Sequence, residues 1–305
     1  MSSEPVSVRV GRHRLRVSNL DKVLYPASGF TKGEVIDYYS RIAPVLLPHL
    51  KNRPLTLKRY PHGVGSEFFY AKNVPAGAPS WVRTVKLASP GSSKNRDQVE
   101  YVLADDLATL AWLANLAALE LHAPMWRLDA GHRPAPPDLM VFDLDPGAPA
   151  TIVECCRVAE LIRQALDADG LSALAKTSGS KGLQLYVPLR PERPWKDVHQ
   201  YARRLAERLE REHPQLVVSN MRKARREGKV LVDWSQNNAA KTTIAVYSLR
   251  ARERPTVSAP VSWHEVESCR RPDDLVFLSG EVLERVERRG DLFAPALRPE
   301  HSLTA

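Results

Sequence analysis

The chain has 305 residues, enough to bury a substantial core as one large catalytic module or two closely packed lobes. Forty-four Lys and Arg against thirty-five Asp and Glu give a net charge of +9 and a pI near 9.5, a balance that favours a polyanionic partner. No run of about 18 apolar residues offers a membrane span, the start lacks the charged head and apolar run of a secretion signal, and Cys155, Cys156 and Cys269 have neither zinc-site nor disulfide spacing, so a reducing, cytoplasmic setting is expected.

Strand-like and helix-like periodicity alternate along the chain, which predicts a mixed α/β (α+β) fold. Thr31-x-x-Glu34 reads as a capping box that opens a helix with Val35, Tyr38, Tyr39, Ile42 and Leu46 on its apolar face, and Pro44 and Pro48 are expected to kink or shorten it. Strands follow at 53–60, 66–72 and 98–103, with 73–95 as a connecting loop. Asp105 or Asp106 caps a predicted apolar helix, LATLAWLANLAALEL, over 107–121. The proline-rich RPAPPD, 133–138, joins lobes at 1–132 and 139–290 within a single module, 1–305.

The second half reads strand 139–145, helix 151–169 between Thr151-x-x-Glu154 and Gly170, strands 172–177 and 183–188, helix 195–212, a basic segment at 221–229, and strands 229–233 and 242–248.

Chemistry concentrates in LMVFDLDPG, 139–147. Side chains alternate along a strand, so Asp143 and Asp145 share one face while Met140, Phe142 and Leu144 enter the apolar layer behind. Two ionised carboxylates side by side repel, and a divalent cation relieves that repulsion. The bland alternative is a pair of solvated turn aspartates. Asp233, closing the apolar strand of KVLVDWSQNN, adds a third acid, and three acids at the ends of two buried strands fit a two-metal phosphoryl-transfer site.

A triphosphate needs positive groups beside those acids. KTSGSKGLQLYVPL, 176–189, supplies Ser178, Ser180 and Lys181, although its glycines precede a strand and not a helix, so it is no Walker A loop. Gln184, Tyr186 and Pro188 share one strand face, opposite Leu183, Leu185 and Val187. Of the basic residues flanking the Asp233 strand, Arg226, Lys241 and Arg250 are the candidates to turn inward, the remainder being solvated.

The combination VFDLDPG, TSGSKGLxLYxPL and KVLVDWSQNxxxKTTIAxYSLRxR resembles the polymerase domain of bacterial ligase D, a branch of the archaeo-eukaryotic primase superfamily that serves non-homologous end joining. The likeness extends through NLDKVLYP, TLKRYP, EFFYAK and ALELHAPMW and covers about residues 8–290. It implies a primase-like catalytic core of mixed β-sheets flanked by helices, two Mn²⁺ or Mg²⁺ ions, and template-directed addition of nucleoside triphosphates to a primer, with a preference for ribonucleotides.

By the same resemblance, Asp143, Asp145 and Asp233 match the metal carboxylates, with Asp233 placed to help activate the primer hydroxyl. Ser178 and Lys181 match the triphosphate loop, and His122, Gln184, Arg226, Lys241 and Arg250 match other nucleotide-handling positions. Lys22 and Lys32 match a grip on the 5′-phosphate of a gap, and Phe68 and Phe69 match aromatics that stack on the template. Implied partners are gapped or broken DNA, the end-bridging protein Ku and a separate DNA ligase, in a nucleoid-associated location.

The family pattern has histidine where this chain has Gln184, which stays neutral and donates only through its amide, so a lower triphosphate affinity or rate is expected. The chain also lacks a K-x-D-G adenylating lysine and a ligase-sized segment, leaving a stand-alone homologue or an excised domain as alternatives. The preferred reading is a gap-filling or end-extending polymerase. A DNA-end-binding scaffold of weak activity and a two-metal nuclease are the alternatives; retained acids facing DNA argue against the first, and the phosphate loop against the second.

Overall fold

The structure is a computed structural model that describes residues 5–88, 98–222, 225–299 and 301–303. A hairpin that the periodicity reading did not anticipate comes first, β1 (Val6–Val10) with β2 (His13–Val17), followed by β3 (Val23–Tyr25) and β4 (Phe30–Thr31). Helix α1 (Lys32–Leu50) opens at the predicted capping box, with Thr31 Oγ1 accepting from Glu34 N and Glu34 accepting from Thr31 N. It runs through Pro44 and Pro48, so the expected shortening does not occur. Burial of its apolar face offsets the donors that the prolines lack, and Tyr38 and Tyr39 donate at 2.7 Å to the carbonyls of Tyr247 and Leu119.

Strands β5 (Thr56–Arg59) and β6 (Phe69–Ala71) lie inside the expected segments. The stretch read as a loop holds β7 (Thr84–Ala88), which pairs antiparallel with β8 (Gln98–Val102); residues 89–97 lie outside the described ones. Asp106, not Asp105, caps α2 (Leu107–Asn115), accepting from Thr109 N at 2.7 Å. The helix predicted over 107–121 is wrong in its second half. Ala117 takes a left-handed φ of 54°, and β9 (Ala118–Ala123) follows. The reason is legible in ALELHA, where Leu119 and Leu121 alternate with Glu120 and His122 at the period of a strand.

Beyond Asp138 come β10 (Leu139–Pro146), α3 (Ile152–Ala168), β11 (Leu174–Thr177), β12 (Leu183–Pro188), α4 (Trp195–Glu212), β13 (Val217–Val218) and β14 (Val230–Asp233). The strand expected at 242–248 shrinks to β15 (Thr243–Ile244), because Tyr247 adopts a positive φ of 64° and turns the chain. The chain then adds β16 (Pro260–Val261), α5 (Trp263–Ser268) and α6 (Ser279–Arg289), none of which the periodicity reading located.

Two sheets matter for the site. One has the order β13-β14-β10-β12-β11-β16, the other β15-β9-β5-β6. Strand β10 is interior and antiparallel to both β12 and β14. Its two faces feed different cores. Met140, Phe142 and Leu144 pack with Leu185 and Val232 against α3 and α4, as the alternation requires, whereas Leu139, Val141 and Tyr186 join the core built on α1, α2 and the four-stranded sheet.

The proline-rich join ends in Asp138, whose side chain ties it back to residues that precede it. Its carboxylate accepts from Arg53 Nη2 at 2.6 Å and from Arg127 Nε at 3.0 Å, and Arg53 is almost fully buried. Asp138→Ala leaves two guanidinium groups uncompensated and is expected to cost about 3 kcal/mol, of the order seen when one partner of a buried pair is removed. Urea denaturation tests this, and a loss below about 1 kcal/mol would mean that the cluster is no more than a surface pair.

Candidate functional site

Strand register builds the site as a row across the sheet. Asp143 stands opposite Asp233 on β14 and opposite Gln184 on β12, and Gln184 in turn stands opposite Lys176 on β11. Side chains in one such row share a face, so Asp233, Asp143, Gln184 and Lys176 lie side by side, with Asp145 two residues further along the same face of β10. The face that alternation assigned to both aspartates is the one that the sheet presents.

Burial and like charge dominate here. Burial first, and the Asp145 charge second, raise the pKa of Asp143, against a hydrogen bond from Gln184 that favours its ionised form. Asp145 is raised by burial and by Asp233, with Arg226 and Arg250 opposing. Asp233 is held in place from both oxygens. Ser235 N and Oγ donate to Oδ1 at 2.9 and 2.6 Å, Gln236 Nε2 donates to Oδ2 at 2.8 Å, and Lys241 Nζ donates to Ser235 Oγ at 2.6 Å. Asn237, buried and absent from the sequence-based candidates, clamps β10 by accepting from Val141 N at 2.8 Å and donating to Val141 O at 2.7 Å.

Among the described residues no group of three or more His, Cys, Asp or Glu side chains closes around a metal position unaided. The donor set is an open row of hard carboxylate oxygens whose mutual repulsion favours a divalent cation, which suits ions that also take water and substrate oxygens as ligands.

The glycine loop between β11 and β12 crosses the end of this row. An added Cβ on Gly182 would lie 2.1 Å from the Leu144 carbonyl oxygen, and one on Gly147 would lie 1.9 Å from that of Arg226, so both glycines permit backbone contact beside the acids. Ser178 Oγ accepts from Ser180 N at 3.2 Å and Gly182 N at 3.1 Å, which makes it an internal brace of the loop. Arg250 Nη1 donates to Ser178 O at 2.7 Å, Thr256 holds the Gly179 carbonyl, and Arg252 bonds Ser180 Oγ. Lys181 is exposed, lining with Pro146, Thr151 and Phe277 a cavity of about 410 Å³.

Glu120, a buried carboxylate that the sequence reading passed over, ties together two of the candidates. It accepts from Arg250 Nε at 3.2 Å and Ala251 N at 3.1 Å, and sits 3.0 Å from His122 Nε2. Burial raises its pKa, but the His122 hydrogen bond and the Arg250 charge prevail and draw it down to about 2. Burial outweighs Glu120 in lowering His122, which favours the neutral ring, and Nε2 faces the carboxylate. His122 stands on β9 and not at the helix end expected from sequence.

Two groups lie apart from the acid row. Lys32 Nζ donates to Ser18 O at 2.6 Å, and its pKa is lowered to about 8 by burial and then by the adjacent Lys22 charge. Phe68 and Phe69 separate onto opposite faces of the β6 segment. Lys58 Nζ stands 4.0 Å from the Phe68 ring centre and 5.7 Å from that of Tyr70, whereas Arg59 covers Phe69 at 4.9 Å. Exposed Tyr70, not among the candidates, faces His122 with ring centres 6.3 Å apart and so links the aromatic edge to the acid row's surroundings.

Comparison with known proteins places this arrangement. The sequence model of the LigD primase-polymerase domain matches residues 31–293. The LigD end-joining protein of Mycolicibacterium smegmatis is 45% identical over 282 residues, covering 92% of this chain and 36% of that protein. The bifunctional LigD protein of Bacillus subtilis is 35% identical over 278 residues, covering 91% of this chain and 43% of that protein. The polymerase domain of Mycobacterium tuberculosis ligase D, solved in complex with DNA, superposes with a TM-score of 0.87 at 42% identity, covering 93% of this chain and 98% of that one.

Fold and site together define a nucleotidyltransferase of the primase-polymerase class. More particularly, the chain belongs to the LigD primase-polymerase domain family, and it spans less than half the length of the curated relatives it matches.

Gly182→Ala forces the loop off Leu144 and is expected to lower primer extension about 100-fold, because a displacement of about 1 Å at a positioning element is felt at that scale. Gly280→Ala, where an added Cβ meets nothing within 4 Å, is the control. Equal activity of the two variants would refute the placement of the loop.

Proposed function

We propose that the chain adds nucleotides to a DNA 3′ end under template direction, filling short gaps or extending ends during double-strand break repair. The observation that carries this reading is the cross-strand row of Asp233, Asp143 and Gln184 with Asp145 beside it, set against a basic phosphate loop.

Asp143, Asp145 and Asp233 would hold two divalent ions, Mn²⁺ or Mg²⁺, which supply Lewis acidity to the attacking hydroxyl and the triphosphate. The protein side chains do the rest. Asp233, held by Ser235 and Gln236, presents a fixed carboxylate to the primer end. Arg226 and Arg250, whose charges both bear on Asp145, and Lys241, linked to Asp233 through Ser235, offset the charge of the triphosphate. Arg250 fixes the backbone of the loop, from which Lys181 extends toward phosphate. Neutral His122, oriented by Glu120, has its Nδ1 lone pair left as an acceptor for a nucleotide hydroxyl, which fits a ribonucleotide preference.

Lys22 and Lys32 form the cationic pair that receives the 5′-phosphate across the gap, and Phe68 and Phe69 support the template bases. The phosphorylated, gapped substrate, Ku and a ligase are the proposed partners, in a nucleoid-associated setting. A scaffold role is less well supported, since three acids on a DNA-facing surface would only repel phosphate.

The test is extension of a primer across gapped duplexes with and without the 5′-phosphate, comparing ribonucleotides with deoxyribonucleotides in Mn²⁺ and Mg²⁺. Extension by the wild type and silence of Asp143→Ala are expected; equal silence of both removes the polymerase reading. Lys32 is cationic below a pKa of about 8 and loses its proton above it, so the preference for a 5′-phosphate over a 5′-hydroxyl should decline as pH rises from 7 to 9. A preference that is flat across that range, or unaffected by Lys32→Met, assigns the phosphate elsewhere.

A further inference from the structure

We infer that Lys176 sets the orientation of Gln184 and that the two residues act as one unit beside Asp143, an inference that rests on the proposed polymerase function. Gln184 Oε1 receives Lys176 Nζ at 2.5 Å and Tyr186 Oη at 3.3 Å. With its oxygen held from two sides, the carboxamide turns its NH₂ group to Asp143, to which it donates. Lys176 is fixed in turn. Its Nζ also donates to Ser258 Oγ at 2.6 Å, and that hydroxyl gives its proton to Thr177 O at 2.7 Å, so the serine accepts and Nζ faces acceptors on both sides.

A flipped amide would turn Oε1 away from the Lys176 and Tyr186 donors and NH₂ away from Asp143, giving up three hydrogen bonds in a buried place. A glutamine side chain has one more rotatable bond than a histidine and two chemically different ends to its amide, so its orientation has more to be fixed. In this chain the neighbouring strand supplies the constraint, in the register that places Lys176 directly opposite Gln184. Lys176 is therefore a positioning residue for the nucleotide side of the acid row.

The test is a double-mutant cycle on the whole chain, read as kcat and KM for the incoming nucleotide. Lys176→Met keeps the stem and removes the donor. The nucleotide KM should rise about 10-fold, equivalent to one lost hydrogen bond of about 1.4 kcal/mol, while the same substitution in a Gln184→His background should change it less than about twofold. Equal losses in both backgrounds, or no loss in either, overturn the inference. Should Lys176→Met fail to fold, Ser258→Ala runs the same cycle with the same two readings. A wild type that extends no primer removes the polymerase function, and the cycle, then read as nucleoside triphosphate affinity, still decides the pairing.

A different observation marks an interaction surface: we propose that the outer face of the β1–β2 hairpin binds the DNA duplex downstream of the gap. Leu15 and Val17 point inward, whereas Arg9, Arg12, Arg14 and Arg16 are exposed, with Arg9 directly opposite Arg14. Like charges paired across strands repel, residues 5–20 contain no Asp or Glu, and among the described residues none of the four arginines has an ion-pair partner. A polyanion supplies the missing charge. Strand β2 leads into Ser18, whose carbonyl holds Lys32, so the arginines continue the surface proposed to meet the 5′-phosphate.

The triple substitution Arg9→Gln, Arg14→Gln, Arg16→Gln should flatten the slope of log affinity against log salt by about 2.7 on a gapped duplex. It should leave binding to a primer–template without the downstream strand unchanged. An unaltered slope, or equal loss on both substrates, overturns the proposal. Because the comparison is of affinities with and without that strand, it is read independently of turnover.

Discussion

Carboxylates directly opposed across paired strands repel one another, and the register of β10 with β14 opposes Asp143 to Asp233. Much of the surrounding architecture offsets that repulsion. Gln184 donates to one acid, Ser235 and Gln236 immobilise another, and the Arg226 and Arg250 charges bear on the third. Each compensating group comes from a different strand or turn. The acid row therefore exists only in the assembled sheet, and no local segment could hold it alone.

The two cores explain why such a row remains reachable. Strand β10 commits Met140, Phe142 and Leu144 to the helices behind it and Leu139 and Val141 to the core in front, which leaves its C-terminal acids where the front layer ends. A strand buried on both faces over most of its length, yet exposed at Asp145, fixes the position of its polar end through packing that lies elsewhere. The Asp138 cluster with Arg53 and Arg127 anchors the start of the same strand, so its beginning is tied by charge and its middle by apolar contact.

Much of this was readable one residue at a time. Alternation alone placed Asp143 with Asp145 and Gln184 with Tyr186, because a strand's period admits no other arrangement. The capping boxes at Thr31 and Thr151 were local and held. What escaped had non-local causes. Lys176 was placed on a strand, as found, but only the pairing of β11 with β12 brings it to Gln184. Glu120 was hidden inside an apparent apolar helix, since a single left-handed residue, Ala117, divides a helical from an extended segment and has no side chain that announces it. The β1–β2 hairpin and α6 escaped for a plainer reason: short amphipathic runs rich in arginine carry weak apolar periodicity.

The aromatic edge raises a matter of colloidal behaviour. Strand β6 is the outermost of its sheet and, with Phe68 just before it, exposes Phe68, Phe69 and Tyr70, the kind of edge that recruits other chains. Here it is only three residues long, and a cation lies over each phenylalanine, Lys58 on one and Arg59 on the other. The same two cations that would greet a nucleic acid backbone thus act as gatekeepers against self-association when no nucleic acid is present. An exposed apolar edge stays dispersed in water because the groups that cover its rings are charged.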